Sequence, residues 1–147
     1  MPIAPSSVIA KSARGTRAQA KKLAARLEGG AVLALVGELG AGKTSFVQGL
    51  AQGLAIHDLS QVLSPTYTLV NEYPGSRLTL VHIDCYRLAN AEAAQALGLE
   101  EQIGRRDAVT AVEWADLIPE LIPPTALWVH FVALPEGGRR ISYESGR

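Results

Sequence analysis

The stretch Gly37-Glu38-Leu39-Gly40-Ala41-Gly42-Lys43-Thr44 matches G-x-x-x-x-G-K-[ST] at every fixed position, the pattern of a loop that cradles a polyphosphate. Its surroundings agree. The apolar run at residues 31–36 predicts a buried strand before the loop, and residues 45–54 predict a helix after it. Three glycines let the backbone turn tightly and bring successive N–H groups close to an anion that bulkier side chains would hold off. The helix that follows points unpaired N–H groups and the positive end of its dipole at the same phosphates. Lys43 adds a mobile positive charge for the outer phosphates, and the Thr44 hydroxyl suits magnesium, which prefers hard oxygen ligands.

Downstream, residues 64–73 (SPTYTLVNEY) enter through a proline, turn β-rich and stop at Pro74-Gly75-Ser76. The return run at residues 78–84 is apolar and ends in Asp84, predicting a hairpin whose second strand delivers an acid beside P-loop-bound magnesium. A second strand over residues 108–112 delivers Glu113 and Trp114, followed by a proline-punctuated connection from Pro119 to Pro124. In an open α/β sheet ligands sit at the carboxyl ends of parallel strands, so Gly37, Asp84 and Glu113 are expected to converge on one crevice. There Glu113 either ligates magnesium or orients an attacking water. Residues 91–97 read as a helix and residues 98–104 as a short irregular or helical connection. Residues 126–134, the turn Glu136-Gly137-Gly138 and residues 139–143 predict a closing antiparallel hairpin.

A chain of 147 residues suits one domain, taken as residues 1–147, with a core large enough to need no metal or disulfide staple. Charged side chains make up 19% and no apolar stretch approaches the roughly 20 residues of a membrane span, so no membrane association is expected. Cys85 is the single cysteine; it reads as a small buried hydrophobe, and with no internal disulfide available a cytoplasmic location is expected. Formal charge balances at 14 basic against 14 acidic groups, which argues against a broad basic face and for weak, indirect contact with nucleic acid. The one local basic excess, residues 11–22, precedes a helical spacing of Ala20, Leu23, Ala24 and Leu27 and reads as a solvated face.

Taken together, GELGAGKTSFVQGLAQGL, SPTYTLVNEY, HIDCYRL, VEWAD and the terminal GRRISY strongly resemble the bacterial TsaE family, also called YjeE, over nearly the whole chain. The P-loop is generic, whereas SPTYTLV, HIDCYRL and VEW in that order are specific. The resemblance implies an α/β, P-loop NTPase-like mixed sheet, with a parallel core flanked by antiparallel strands and helices. It implies an ATPase that uses ATP and Mg²⁺ in threonylcarbamoyladenosine modification of tRNA, working with the TsaB and TsaD proteins and meeting tRNA only indirectly. By the same resemblance Gly37, Glu38, Leu39, Gly40, Ala41, Gly42, Lys43, Thr44 and Ser45 hold the phosphates, and Thr44 and Glu113 hold magnesium. Asp84 stands beside the metal or its water, Thr66 lies in a switch-like loop, and Ser12, Ala13 and Arg139 help to hold the nucleotide. Ala13-Arg14-Gly15 replaces the acidic residues often found before Thr16, so contacts to adenine there fall to the backbone.

The expected chemistry is positioning and electrostatics: Lys43 and magnesium offset charge on the phosphates while Glu113 or Asp84 orients water. Arg87, Arg105 and Arg106 are the candidates for an arginine finger and read as surface residues, so slow hydrolysis is expected until a partner completes the site. Tyr86, Arg87 and Trp114 are the candidate partner surface. A small-molecule kinase shares the P-loop but needs an acceptor pocket and a lid. A GTPase reads guanine with Asn-Lys-x-Asp, and neither Asn71 nor Asn90 is followed by lysine. A nucleotide-dependent binding module without turnover is the third alternative.

Overall fold

Apolar runs buried on both faces can only form central strands, and four of them lie side by side here. The computed structural model describes residues 3–38, 40–63 and 69–146. Among them, β1 (Ser6–Ala10), β2 (Val32–Gly37), β3 (Val70–Tyr73), β4 (Thr79–Asp84), β5 (Ala108–Glu113), β6 (Leu127–Ala133) and β7 (Arg139–Ser145) form one sheet in the order β1-β7-β6-β2-β5-β4-β3. The pairs β6–β2, β2–β5 and β5–β4 are parallel, whereas β3 and β7 run antiparallel to their neighbours. This is the mixed sheet expected, with the parallel core flanked on each side.

Two layers cover the sheet. On one face α1 (Ala13–Ala24) and α2 (Lys43–Gly53) pack on each other and enclose Leu33, Leu35, Leu50, Leu80 and Val129. Phe46 of α2 meets Phe131 of β6 edge to face, with ring centroids 5.3 Å apart. The other face, with Val81, Ile83, Val112 and Trp128, is closed by α4 (Ala91–Ala96), α5 (Leu99–Gln102) and two 3₁₀ turns at Ala115–Leu117 and Pro119–Leu121. The remaining helical turn, α3 (Ser60–Leu63), follows α2.

Local chemistry sets the helix ends. Ser12 caps α1, its hydroxyl accepting the Gly15 N–H at 3.0 Å. At the other end of α1 Arg77, from the β3–β4 turn, donates to the carbonyls of Ala24 and Leu27. The buried side of α1 is Thr16, Ala20, Leu23 and Ala24, while Lys11, Arg14, Lys21 and Lys22 face solvent, as the solvated-face reading has it. Leu27 lies beyond the end of α1 yet is buried, so the apolar spacing outlasts the helix.

The edge strand β1 is absent from the sequence reading. Its five residues are mostly exposed and show no clean alternation, and strand geometry there depends on pairing with β7 at the far end of the chain. The beginning of the 64–73 segment, including Thr66, and Leu39 of the loop lie outside the described residues. No described helix is long and apolar enough to cross a membrane.

Candidate functional site

The G-x-x-x-x-G-K-[ST] sequence sits where β2 ends and α2 begins. Gly42 occupies the cap position of α2 at φ 110° and ψ 5°, a left-handed conformation that favours glycine, and no side chain caps the helix. The first N–H groups of α2 therefore face the loop rather than a capping side chain. A Cβ at Gly42 would stand in ordinary contact, 3.4 Å from the Arg139 side chain, so the positive φ rather than lack of room is what favours glycine there.

Parallel pairing assembles the rest. Leu35 of β2 stands opposite Glu113 of β5, and Glu113 stands opposite Asp84 of β4, so both acids reach the carboxyl edge beside the loop. Gly40, Gly42, Lys43, Thr44, Ser45, Glu113 and Arg139 line one cleft with about 490 Å³ of open space. Seven residues named from sequence thus share a wall. A larger hollow, about 1350 Å³, opens among Arg26, Gly30, Gly104, Arg106 and Leu127 and holds none of the loop. Chemistry rather than size selects the smaller cleft.

Lys43 is only 4% exposed. Its ammonium donates to the Gly37 carbonyl and lies 3.6 Å from the centre of the Trp114 ring, a cation–π contact. Burial pulls its pKa below the ordinary lysine value, against the opposing pull of Glu113, Asp84 and Asp116. Trp114 has φ 59° and ψ 37°, a left-handed backbone unusual for a residue with a bulky side chain. Its ring also meets Tyr86 at 5.1 Å, and Tyr86 is half exposed, so of the expected partner surface these two form a continuous patch.

The two acids differ in setting. Asp84 is half-buried and accepts the Tyr86 backbone N–H at 3.0 Å, a contact that fixes the turn after β4. Glu113 is 7% exposed and meets the His82 ring at 2.5 Å between Oε2 and Nε2. His82 has no role in the sequence reading, although strand alternation places it two residues before Asp84 on the same face and so marks it as a neighbour of the site. Thr44 is exposed and Ser45 half-buried on the first turn of α2, while Glu38 is exposed and Ala41 buried. Among the described residues no three His, Cys, Asp or Glu side chains converge to hold a metal by themselves. A divalent cation in this cleft would need oxygen donors besides the Thr44 hydroxyl and Glu113, since the side chains of the described wall add only the Ser45 hydroxyl to these two.

Arg139, at the start of β7, donates to the Thr16 hydroxyl of α1 at 2.9 Å, while its buried Nε has no partner within the described residues. An unpaired guanidinium N–H in a cleft next to a bare helix N-terminus fits an anion. Ser12 and Ala13 stand at the start of α1, outside the cleft wall, and the Ser12 hydroxyl is engaged in capping. They connect to the cleft through Thr16 and Arg139. Of the arginine-finger candidates, Arg105 is tied to Glu72 and Asp107 on the surface. Cys85 is fully buried, and burial, then Asp84 and Glu113, push its thiol up to about 12, which keeps it a protonated packing group.

Comparison with known proteins points the same way. Residues 10–141 match the family model described as "Threonylcarbamoyl adenosine biosynthesis protein TsaE". Over 134 residues the chain is 37% identical to the tRNA threonylcarbamoyladenosine biosynthesis protein TsaE of Treponema pallidum, covering 91% of this chain and 96% of that one. Over 128 residues it is 41% identical to the protein of the same name from Bacillus subtilis, covering 87% and 78%. The crystal structure of YdiB from Bacillus subtilis has a TM-score of 0.80 at 32% identity and covers 100% of this chain and 89% of that chain.

Proposed function

The chain belongs to the TsaE family, and from that premise we propose that it is a P-loop ATPase that binds and slowly hydrolyses Mg-ATP in support of tRNA threonylcarbamoyladenosine modification. The observation that supports this reading is the convergence of Gly40, Gly42, Lys43, Thr44, Ser45, Glu113 and Arg139 on one cleft. The loop amides and the uncapped start of α2 receive the phosphates. Lys43 exchanges the Gly37 carbonyl for a phosphate oxygen, and Trp114 keeps the ammonium close to the cleft. Glu113, itself buried in the cleft wall, orients the attacking water. Thr44, with Glu113 or its bound water and Asp84 nearby, would hold magnesium, which would supply positive charge against the phosphate oxygens.

Within the described residues the cleft wall carries one arginine, Arg139, and that one is also held by α1. Slow turnover in the isolated protein follows, with contact by TsaB and TsaD completing or rearranging the site. ATP hydrolysis measured with and without those purified proteins is expected to rise about ten-fold or more in their presence. Equal rates would remove the partner effect. Titration with Mg-ATP, Mg-ADP and Mg-GTP in a calorimeter is expected to give heat for the adenine nucleotides, and silence with all three would remove the nucleotide reading itself.

Arg139 offers a smaller effect. Arg139→Ala is expected to weaken ATP binding roughly ten-fold, the scale of one hydrogen bond to a charged group. Unchanged calorimetric affinity would place the arginine outside the nucleotide's reach and leave it a tie between β7 and α1.

A further inference from the structure

We infer that His82 is a positioning residue that fixes the Glu113 carboxylate for ATP hydrolysis, an inference that rests on the ATPase reading of the cleft. The two side chains meet at 2.5 Å, and each residue is 7% exposed. The parallel register places His82 opposite Ala111 and Asp84 opposite Glu113, so the histidine reaches diagonally across β4 and β5 to the acid. Around them on the same face stand Leu80, Ala111 and Leu35, all fully buried, which leaves little water to compete for the carboxylate.

The contact is asymmetric in a useful way. Nε2 of His82 holds Oε2, while Glu113 itself lines the cleft with Gly42, Lys43 and Thr44. Oε1 is then the oxygen available to a water or a cation. A free glutamate has three rotatable bonds and samples many positions, whereas one anchored by a ring on a neighbouring strand offers its second oxygen from one place. Stability alone does not call for this pair. Strands β4 and β5 are already matched over six residue pairs, and well-packed apolar replacements of buried polar pairs are often neutral or better. What an apolar pair lacks is a donor aimed at a carboxylate in the cleft wall.

The test uses the full chain, with TsaB and TsaD present, and four variants: His82→Leu, His82→Gln, Glu113→Gln and the His82→Leu/Glu113→Gln double. Steady-state phosphate release gives kcat and KM, and calorimetry gives the Mg-ATP affinity and the binding-competent fraction. His82→Leu is expected to lower kcat about 10–100-fold while the Mg-ATP affinity moves by less than about three-fold, the scale seen when a supporting contact to a site ligand is lost. His82→Gln keeps an N–H donor and is expected to recover most of that loss. In the Glu113→Gln background, His82→Leu is expected to add nothing, because the group it positions is already disabled. A readout independent of turnover is the Glu113 carboxyl carbon resonance in nucleotide-free protein, which shifts in His82→Leu and returns toward wild type in His82→Gln. Wild-type kcat in His82→Leu, a loss that merely tracks the binding-competent fraction, or a fully additive double variant would each overturn the inference while leaving the ATPase reading intact. Wild-type protein that binds Mg-ATP and never hydrolyses it would overturn both.

Discussion

Glu113→Gln is expected to lower kcat for ATP hydrolysis by about two to four orders of magnitude, the usual range for loss of a group that orients or deprotonates a nucleophile. In free energy that is about 3–5.5 kcal/mol of lost transition-state stabilisation. The amide matches the carboxylate in shape and still offers an oxygen to His82, so the sheet edge should hold its form. What disappears is the negative charge and the basicity beside Lys43 and Thr44. Mg-ATP affinity should change far less than kcat, because in the proposed reading the loop amides and the uncapped start of α2 would supply most of the phosphate contacts. Phosphate release and calorimetry on the same preparation check both halves of the expectation. A kcat within about three-fold of wild type would take Glu113 out of the chemistry. Full support of tRNA modification by a variant without turnover would favour the binding-module alternative. Asp84 is the weaker candidate for the same role, since one of its oxygens is committed to the Tyr86 backbone and it does not line the cleft.

Gly49→Ala is expected to destabilise the fold by about 2 kcal/mol even though alanine is the better helix former. In an exposed helix interior the exchange would gain up to about 1 kcal/mol. Here Gly49 and Gly53 lie one turn apart on α2 against Ala20 and Ala24 of α1. A Cβ at Gly49 would stand 2.3 Å from the Arg17 carbonyl oxygen, 2.7 Å from the Ala20 Cβ and 2.8 Å from the Arg17 Cα. Two of those three atoms are backbone, so no rotamer change relieves the contact and α1 as a whole must move. Overpacking of that kind lies near the upper end of the usual 1–3 kcal/mol, about 3 kcal/mol, which outweighs the gain in propensity. For a chain of this length the melting temperature should fall by about 6 °C, read by calorimetric unfolding. The displacement also pulls on Thr16, which holds Arg139, so nucleotide affinity should weaken along with stability. An unchanged or raised melting temperature would contradict the close crossing of α1 and α2.

Much of the molecule is legible residue by residue. The P-loop announces itself because eight adjacent positions bring two fixed glycines, a lysine and a threonine, with a third glycine at Gly40, between an apolar run and a helical one. Asp84 and Glu113 are legible for a related reason: each ends a buried run, and acids at strand ends are where α/β sheets keep their ligands. The hairpin of β6 and β7 is readable from its glycine turn, where Gly137 and Gly138 take φ of 99° and 77°. The strand β1 is not readable, since it owes its conformation to β7. Arg105, a candidate finger in the sequence, is held by its near neighbour Asp107 and also by Glu72 of β3, a contact across elements that no local pattern links.

The sequence by itself determines the loop, the helix that follows it and the identity of the acids, because those depend on neighbours within a few bonds and on a backbone that only certain residues permit. Tertiary structure alone decides that His82 grips Glu113, that Arg139 closes over Gly42 with an N–H unpaired, and that Lys43 rests on Trp114. Each of those meetings depends on the register and order of strands paired across long stretches of chain. Register is set by the summed packing of whole faces rather than by any one segment.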